Sequence, residues 1–274
     1  RTSDGTTFDL VYHDIFMETD PQLPDGIIQA GAGTALDIPY NSPGNEYGPY
    51  LAVTGMSLWA RSRLLDWSEA YEPRMLFFAS DRQAGCGGLN LWVSAGRVDV
   101  LSGPDSTVPE PVVALDALNG DADDAYITFG PRNSVLFCSD RDGDFDIYAL
   151  VPDVNLTTGN VATVLADTSL RAQATKVAIL NSPADDKCPF VHDYTLFFVS
   201  DRQGGQGGFD IYRSAYSGGV WGEPRNLGPV VNSAANEYRP YCSYNEEYGN
   251  RVLFFSSDRD GGIGGYDIYY VGVE

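Results

Sequence analysis

The sequence predicts an all-β protein, a β-propeller built from four-stranded antiparallel blades. A stretch of up to nineteen residues returns four times, with its Asp-Arg pair starting at residues 81, 140, 201 and 258, so the steps are 59, 61 and 57 residues. Each copy runs from an apolar strand through a turn into a second strand. The 30 Gly and 16 Pro beside 17 Tyr and 13 Phe indicate many turns between aromatic-rich strands.

The four copies share a Leu-Phe start, a Ser-Asp-Arg triplet and an Asp-Ile-Tyr-like end. They are "LFFASDRQAGCGGLNLWVS" at 76–94, "LFCSDRDGDFDIYAL" at 136–150, "LFFVSDRQGGQGGFDIYRS" at 196–214 and "LFFSSDRDGGIGGYDIYYV" at 253–271. The second copy departs from the pattern, because its loop is three residues shorter and lacks the double glycines. The near-equal spacing indicates repeated structural units.

A second element precedes each copy and divides the repeat into four strands. It reads "NSPGNEYGPY" at 41–50, "NGDADDAYIT" at 119–128, "NSPADDKCPF" at 181–190 and "NSAANEYRPY" at 232–241. Strand one follows this Asn-Ser element, strand two is the apolar run, strand three carries Asp-Ile-Tyr, and strand four lies in linkers such as "WGEPRNLGPVVNS". Strand two is apolar on consecutive positions, so it is expected to be buried on both faces.

The repeats predict a single propeller domain over 1–274, with blades at approximately 36–100, 101–153, 154–215 and 216–274. The last repeat stops after strand three, while residues 1–35 contain further strand-like runs at 6–16 and 27–31. The simplest closure gives an N-terminal strand to the last blade, which removes the free sheet edges. Four blades are therefore expected, and five are the alternative if residues 1–35 belong to an additional blade.

The combined pattern resembles the WD40-like repeat family called PD40, which is related to the propeller of the periplasmic protein TolB. The resemblance rests on Asn-Ser-x-x-Asn-Glu-x-x-Pro, Leu-Phe-Phe-x-Ser-Asp-Arg and Gly-Gly-x-Gly-Gly-x-Asp-Ile-Tyr, and covers about residues 40–274. The glycine-rich version is similar to repeats in cell-envelope proteins of Bacteroidetes-type bacteria. The resemblance implies a binding propeller in the periplasm or at the cell surface, and it implies no catalytic residues.

Composition excludes some functions. The net charge of −21 disfavours nucleic-acid binding and favours cations or basic partners. No stretch approaches the roughly 18 apolar residues of a membrane helix. The four cysteines, at 86, 138, 188 and 242, form no CxxC pair and fit no zinc site, so buried thiols are favoured over disulfides. With two histidines and no hydrolase motif, no enzyme is expected, and His192 is expected in an exposed hairpin.

The glycine-rich loop is expected to be a hairpin. A phosphate-binding loop needs a Lys and a following helix, and here a strand follows. The glycines are expected to permit positive φ, and the Asp before strand three is expected to accept backbone N–H bonds. The Asp-Arg pairs are expected to form carboxylate bridges that lock blade to blade, with a ring of anion-binding arginines as the alternative. These eight residues are Asp81, Arg82, Asp140, Arg141, Asp201, Arg202, Asp258 and Arg259.

Acids at the start of strand one are the main candidates for a binding site at the mouth of the central channel. Glu46, Asp124, Asp186 and Glu237 occupy this position, accompanied by Tyr47 and Tyr238. One interpretation pairs each acid with an Asp-Arg arginine, and the other is a ring that binds a cation such as Ca²⁺. Two acidic runs resemble calcium loops without the full EF-hand spacing, and their candidate ligands are Asp140, Asp142, Asp144, Asp121 and Asp123.

An insertion outside the repeat, 54–73, is a candidate partner surface. It holds residue types enriched at interaction hot spots, namely Trp59, Arg61, Arg63, Trp67 and Tyr71. A packed loop covering the propeller face is the alternative. Together with the family resemblance, which implies a bacterial envelope, the sequence predicts a non-catalytic binding or scaffold propeller with a protein partner. The alternatives are a carbohydrate-binding propeller and a glycoside hydrolase-like enzyme using paired carboxylates.

Overall fold

The computed structural model describes residues 8, 11–12, 15–18, 27–30, 34–35, 41–53, 74–82, 87–94, 111–245 and 249–273. Within them the protein is all-β, and four antiparallel sheets form a four-bladed propeller, as predicted. The described ranges also contain a short α-helix, α1 (Val161–Leu165), and two 3₁₀ turns.

The strands follow one another along the chain within each blade. At the N-terminus lie β1 (Val11–Tyr12), β2 (Ile15–Glu18), β3 (Ile27–Ala30) and β4 (Thr34–Ala35). Blade 1 contains β5 (Glu46–Val53), β6 (Arg74–Ser80), β7 (Asn90–Ser94) and β8 (Val112–Ala114). Blade 2 contains β9 (Asp124–Gly130), β10 (Ser134–Ser139), β11 (Asp146–Leu150) and β12 (Thr175–Lys176). Blade 3 contains β13 (Asp186–His192), β14 (Thr195–Ser200), β15 (Asp210–Ser217), β16 (Val220–Trp221) and β17 (Arg225–Asn226). Blade 4 contains β18 (Glu237–Asn245), β19 (Asn250–Ser257) and β20 (Asp267–Val273).

The second strand of each blade is the core strand. In β10 all six residues are buried, because neighbouring strands flank it and blades cover its two faces. One apolar cluster joins blades 1 and 2, where the rings of Phe77 and Phe129 lie 5.1 Å apart, and a second joins blades 3 and 4. Tyr50 packs against both clusters, so the core is continuous around the inner strands.

The first strand of each blade bends at one position. The residue two places after the leading acid has positive φ, and the pairing with strand two shifts register there. The four residues are Gly48, Tyr126, Cys188 and Arg239, with φ of 55°, 56°, 53° and 52°. Only glycine adopts this conformation without cost, so the other three are held there by the repeated bulge. The bulge occurs in all four blades, whereas the residue type at its positive-φ position differs from blade to blade.

Neighbouring blades are joined by the Asn-Ser loop, which packs on the third strand of the blade before it. Asn232 accepts a bond from Ile211 N at 2.8 Å and donates one to Ile211 O at 3.0 Å. Equivalent pairs of bonds join Asn119 to Leu91 and Asn181 to Ile147. In these three connections, an Asn carboxamide thus completes the backbone bonding of strand three.

The glycine-rich hairpin has a second role that the sequence did not predict. Its first glycine has positive φ, as expected, for example 95° at Gly204. Its later glycines allow close approach to the next blade, since a Cβ on Gly207 would lie 2.4 Å from the Ala234 backbone and one on Gly208 would lie 2.2 Å from Asn236 Oδ1. These two glycines are therefore part of the seam.

The N-terminal segment does not take the place predicted for it. In the pairing of β1 with β4, Val11 lies opposite Ala35 and Tyr12 opposite Thr34. The third and fourth strands of blade 3 pair in the same register, with Tyr212 opposite Asn226 and Arg213 opposite Arg225. Phe8 O also accepts the Glu46 amide, as Phe209 O accepts that of Glu237. β1 and β4 thus correspond to a third and a fourth strand, because "FDLVY" copies the strand-three pattern. Among the described residues, the sheet of blade 4 contains three strands, and the predicted closing strand is not part of it.

Candidate functional site at the channel mouth

The four leading acids are buried and paired with arginine, as one of the two interpretations had it. Each contacts the arginine of its own blade, and its carboxylate side chain has no exposed surface. The distances are 3.3 Å for Arg82–Glu46, 2.6 Å for Arg141–Asp124, 2.5 Å for Arg202–Asp186 and 2.9 Å for Arg259–Glu237. These carboxylates therefore stabilise the start of strand one rather than forming an open ring.

Each arginine lies between two aromatic rings of its own blade. The Arg202 guanidinium carbon is 5.3 Å from the Phe198 ring centroid and 4.9 Å from that of Tyr212, and Leu180 O accepts a further bond. The stacking suits a planar cation. The predicted blade-to-blade bridge was wrong. The ion pair lies within a blade, because strand one and strand two of the same sheet carry the two partners, and the seam is made by the Asn-Ser loop.

The aspartate of each Asp-Arg pair closes the Asn-Ser loop of its own blade. Asp81 accepts bonds from Asn45 N and Nδ2, and Asp258 accepts the equivalent bonds from Asn236. In blades 2 and 3, Asp140 and Asp201 accept the amides of Asp123 and Asp185. The bonds from Asn236 lower the pKa of Asp258.

The pKa values of two acids at different positions of the repeat, Asp124 in blade 2 and Asp185 in blade 3, shift in opposite directions. Burial raises the pKa of Asp124, against the opposing effects of Ser139 and Arg141. Asp185 is partly buried, which alone would raise its pKa, but Lys187 and the Phe145 amide lower it overall. Lys187 Nζ lies 2.6 Å from Asp185 and over the Phe145 ring. The surface acid of blade 3 is thus already neutralised by a neighbouring cation.

Three side chains at strand-one bulges, those of Tyr47, Tyr126 and Arg239, lie close together. The Arg239 guanidinium carbon lies 5.6 Å from the Tyr126 ring centroid and 6.0 Å from that of Tyr47, and its side chain bonds to Tyr126. Arg239 is exposed to solvent. No carboxylate of the described residues forms an ion pair with it. Arg239 thereby holds the two tyrosine rings in place.

An open cavity of about 290 Å³ lies beside these rings, at the seam of blades 1 and 2. Its lining residues are Tyr47, Asp81, Gly88, Leu89, Asp123 and Tyr126. Asp123 Oδ1 accepts a bond from Leu89 N at 2.6 Å, which fixes the carboxylate at the seam. A Cβ on Gly88 would lie 2.0 Å from that oxygen, so glycine is needed there. Two carboxylates and two phenol rings thus converge on one opening.

Other predicted site residues lie elsewhere. Tyr238 packs with its ring 5.1 Å from that of Phe209, outside the cavity lining. The insertion residues at 54–73 lie outside the described residues. His192, expected to be exposed, is buried at the end of β13 near Asp193. Cys138 and Cys188 are free buried thiols, as is Cys242.

The described residues contain no group of three or more His, Cys, Asp or Glu side chains arranged to hold a metal ion. Asp140 is engaged by the Asp123 amide, and Asp142 accepts the Tyr148 hydroxyl. Calcium binding by the acidic runs or by an axial ring stays a prediction.

Sequence reasoning missed Tyr126 and Arg239. A signal for them exists, since the third position of strand one reads Gly, Tyr, Cys and Arg in the four copies. A position that varies inside a regular repeat marks a place where the scaffold does not dictate the side chain. The sequence could not show that Asp81 and Asp123 lie beside the Tyr47 and Tyr126 rings, because this depends on how blades 1 and 2 are positioned relative to each other.

Comparisons with known proteins add the following. No family model and no curated protein matches the chain. Among solved structures, it is similar to a protein assigned as TolB from Agrobacterium tumefaciens, with 12% identity, a TM-score of 0.41, and coverage of 96% of this chain and 80% of that one. It is also similar to a puromycin-hydrolyzing peptidase of Mycobacterium tuberculosis, with 13% identity, a TM-score of 0.36, and coverage of 84% and 28%. Identities and TM-scores this low assign neither activity nor partner.

In the described ranges, no helix has the length and apolar character needed to cross a lipid bilayer.

Proposed function

We propose that the protein is a non-catalytic binding propeller of a bacterial envelope, and that it binds a basic segment of a protein partner. The binding site is the cavity at the seam of blades 1 and 2. The observation that carries this proposal is the pairing of Asp81 and Asp123 with Tyr47 and Tyr126 around one opening. The proposal involves no catalytic step.

A lysine or arginine side chain fits this chemistry. Its stem packs against phenol rings, and its charged head meets carboxylates, which form stronger hydrogen bonds with cations than with neutral donors. The net charge of −21 attracts a basic partner over distance. An acidic partner would face the same charge as a barrier.

Asp123 is the most informative residue of the site. The same position is Asn45 in blade 1 and Asn236 in blade 4, and Asn236 Oδ1 accepts the Phe209 amide as Asp123 Oδ1 accepts that of Leu89. An Asn side-chain oxygen therefore accepts this bond across the seam as a carboxylate oxygen does. The negative charge at residue 123 is not needed for the fold, which supports a role in binding.

The test uses a fluorescently labelled oligoarginine peptide and anisotropy titration. Asp123→Asn is expected to weaken binding by roughly 10- to 150-fold, since one charged hydrogen bond contributes roughly 1.5–3 kcal/mol. An oligoglutamate peptide of equal length is expected not to bind. A glycan array run in parallel tests the carbohydrate alternative.

Asp185→Asn is the matched control. Asp185 occupies the same position in blade 3, accepts the Phe145 amide and is paired with Lys187. This variant is expected to bind the peptide as the unchanged protein does. Equal affinities of the Asp123→Asn protein and the unchanged protein, or equal losses in the two variants, would contradict the proposed site.

A further inference from the structure

Arg239 places a positive charge beside the cavity at the seam of blades 1 and 2. It lies outside the cavity lining, but its guanidinium carbon is 5.6 Å from the ring centroid of Tyr126 and 6.0 Å from that of Tyr47. These two rings line the opening together with Asp81 and Asp123. The same pair of phenol rings therefore adjoins two carboxylates and a guanidinium.

The groups that bond to Arg239 do not neutralise its charge. Its side chain bonds to Tyr126, and its backbone amide donates to the thiol of Cys188. Burial raises the pKa of both groups, to about 12 for Cys188, so the phenol and the thiol are uncharged at neutral pH. The guanidinium keeps its charge and is exposed to solvent. It is therefore accessible to an anionic group of a ligand.

Three blades contribute to these surroundings through the positive-φ position of strand one. This position holds Gly48 in blade 1, Tyr126 in blade 2 and Arg239 in blade 4. A Cβ on Gly48 would lie 2.5 Å from Cδ1 of the Tyr126 ring, so glycine lets this ring pack against β5. Tyr126 thus contacts blade 1 at Gly48 and blade 4 at Arg239, while it also lines the cavity.

A carboxylate is the anionic group of a protein ligand that suits Arg239. A guanidinium carries five N–H donors in a planar fork, and a carboxylate accepts two parallel bonds from such a fork. The proposed function already places a basic side chain beside Asp81 and Asp123. A lysine or arginine at the end of a chain carries a basic side chain and a free carboxylate, so one residue supplies both charges.

We propose that the partner's basic segment ends in a C-terminal lysine or arginine, whose side chain enters the cavity and whose carboxylate binds Arg239. This inference rests on the proposed function, since it names the residue of the basic segment that occupies the same site. Capture of a C-terminal carboxylate is an established mode of peptide recognition. A chain end suits a cavity of about 290 Å³, because only one residue has to enter it.

The probes are two labelled oligoarginine peptides of equal length, one with a free C-terminal carboxylate and the other with a C-terminal amide. The amide peptide has the higher positive charge, so the net charge of −21 alone would favour it. A contact with Arg239 reverses this order. The peptide with the free carboxylate is expected to bind about tenfold more tightly in anisotropy titrations.

Arg239→Gln tests the contact itself. This variant is expected to lose the preference for the free carboxylate and to bind the amide peptide as the unchanged protein does. Equal weakening of both peptides would show that Arg239 only positions the tyrosine rings, and would overturn the proposal. Arg225→Gln, at an exposed arginine of β17, is the control and is expected to retain the preference.

The unchanged protein also gives a test that needs no variant. Equal affinity for the two peptides, or tighter binding of the amide peptide, overturns the inference. Asp123→Asn separates this inference from the proposed function, because it is expected to weaken both peptides alike. If both peptides depend on Asp123 but bind equally well, the proposed function stands and the carboxylate contact fails. If Asp123→Asn weakens neither peptide, the proposed function itself fails.

Discussion

At the scale of single residues, the repeated acids and arginines are structural. Asp186 is fully buried and accepts bonds from Arg202 and from both the amide and the hydroxyl of Ser182. A buried carboxylate with this many donors depends on all of them, since an unpaired buried charge is costly. The acids that looked most like a ligand ring are therefore expected to stabilise the fold.

Replacing Arg202 by Met tests this role. The variant keeps the apolar stem between Phe198 and Tyr212 but leaves Asp186 without its cation, so the free energy of unfolding is expected to fall by about 3 kcal/mol. Urea denaturation measures the change. Arg225→Met, at an exposed arginine, is the control and is expected to have little effect. Similar losses in both variants would contradict a special role for the ion pair.

The buried cysteines give a second test at this scale. Burial raises the pKa of Cys188 and Cys242 to about 12 and also raises that of Cys138. Since the thiolate is the reactive form, these thiols are expected to resist iodoacetamide in the folded protein at mildly alkaline pH and to react in urea. Mass spectrometry of tryptic peptides measures the extent of alkylation at each cysteine. Rapid native labelling of Cys188 would show that its surroundings are open.

At the scale of elements, the glycine-rich hairpin joins strands within a blade and packs against the next blade. Gly208→Ala is expected to destabilise the protein by about 1–3 kcal/mol, because its Cβ would collide with Asn236. Gly265→Ala, at the same position in blade 4, is expected to be nearly neutral. Melting temperatures compare the two. If both alanines were equally harmful, the cause would be loop conformation and not the seam.

The repeat made the start of the first strand in each blade predictable. The acids at 46, 124, 186 and 237 begin β5, β9, β13 and β18, as the strand assignment required. The positive φ of Tyr126 and Arg239 was not predictable, because those residue types do not signal it. The place of Phe8 was missed because an N-terminal strand was expected to complete the last blade, and the strand-three pattern of "FDLVY" was not recognised.

At the scale of the whole molecule, the proposed binding site lies where the repeat is broken. The cavity forms at one seam because blade 1 supplies Tyr47 and Asp81 while blade 2 supplies Asp123 and Tyr126. No single repeat contains this combination, so it was invisible in the sequence without the geometry. The net charge of −21 adds a long-range attraction for cationic ligands. Because salt screens this attraction, the affinity for oligoarginine is expected to decrease as the salt concentration rises.

The most direct test of this account measures two quantities in two variants, Asp123→Asn and Asp186→Asn. The first is affinity for oligoarginine, and the second is the free energy of unfolding in urea. Asp123→Asn is expected to lose affinity and keep stability, because an amide already serves this position in blades 1 and 4. Asp186→Asn is expected to lose stability and to keep affinity in its folded fraction. The reverse pattern, with affinity lost at residue 186 and unchanged at residue 123, would place the site in the ring of acids and contradict the account.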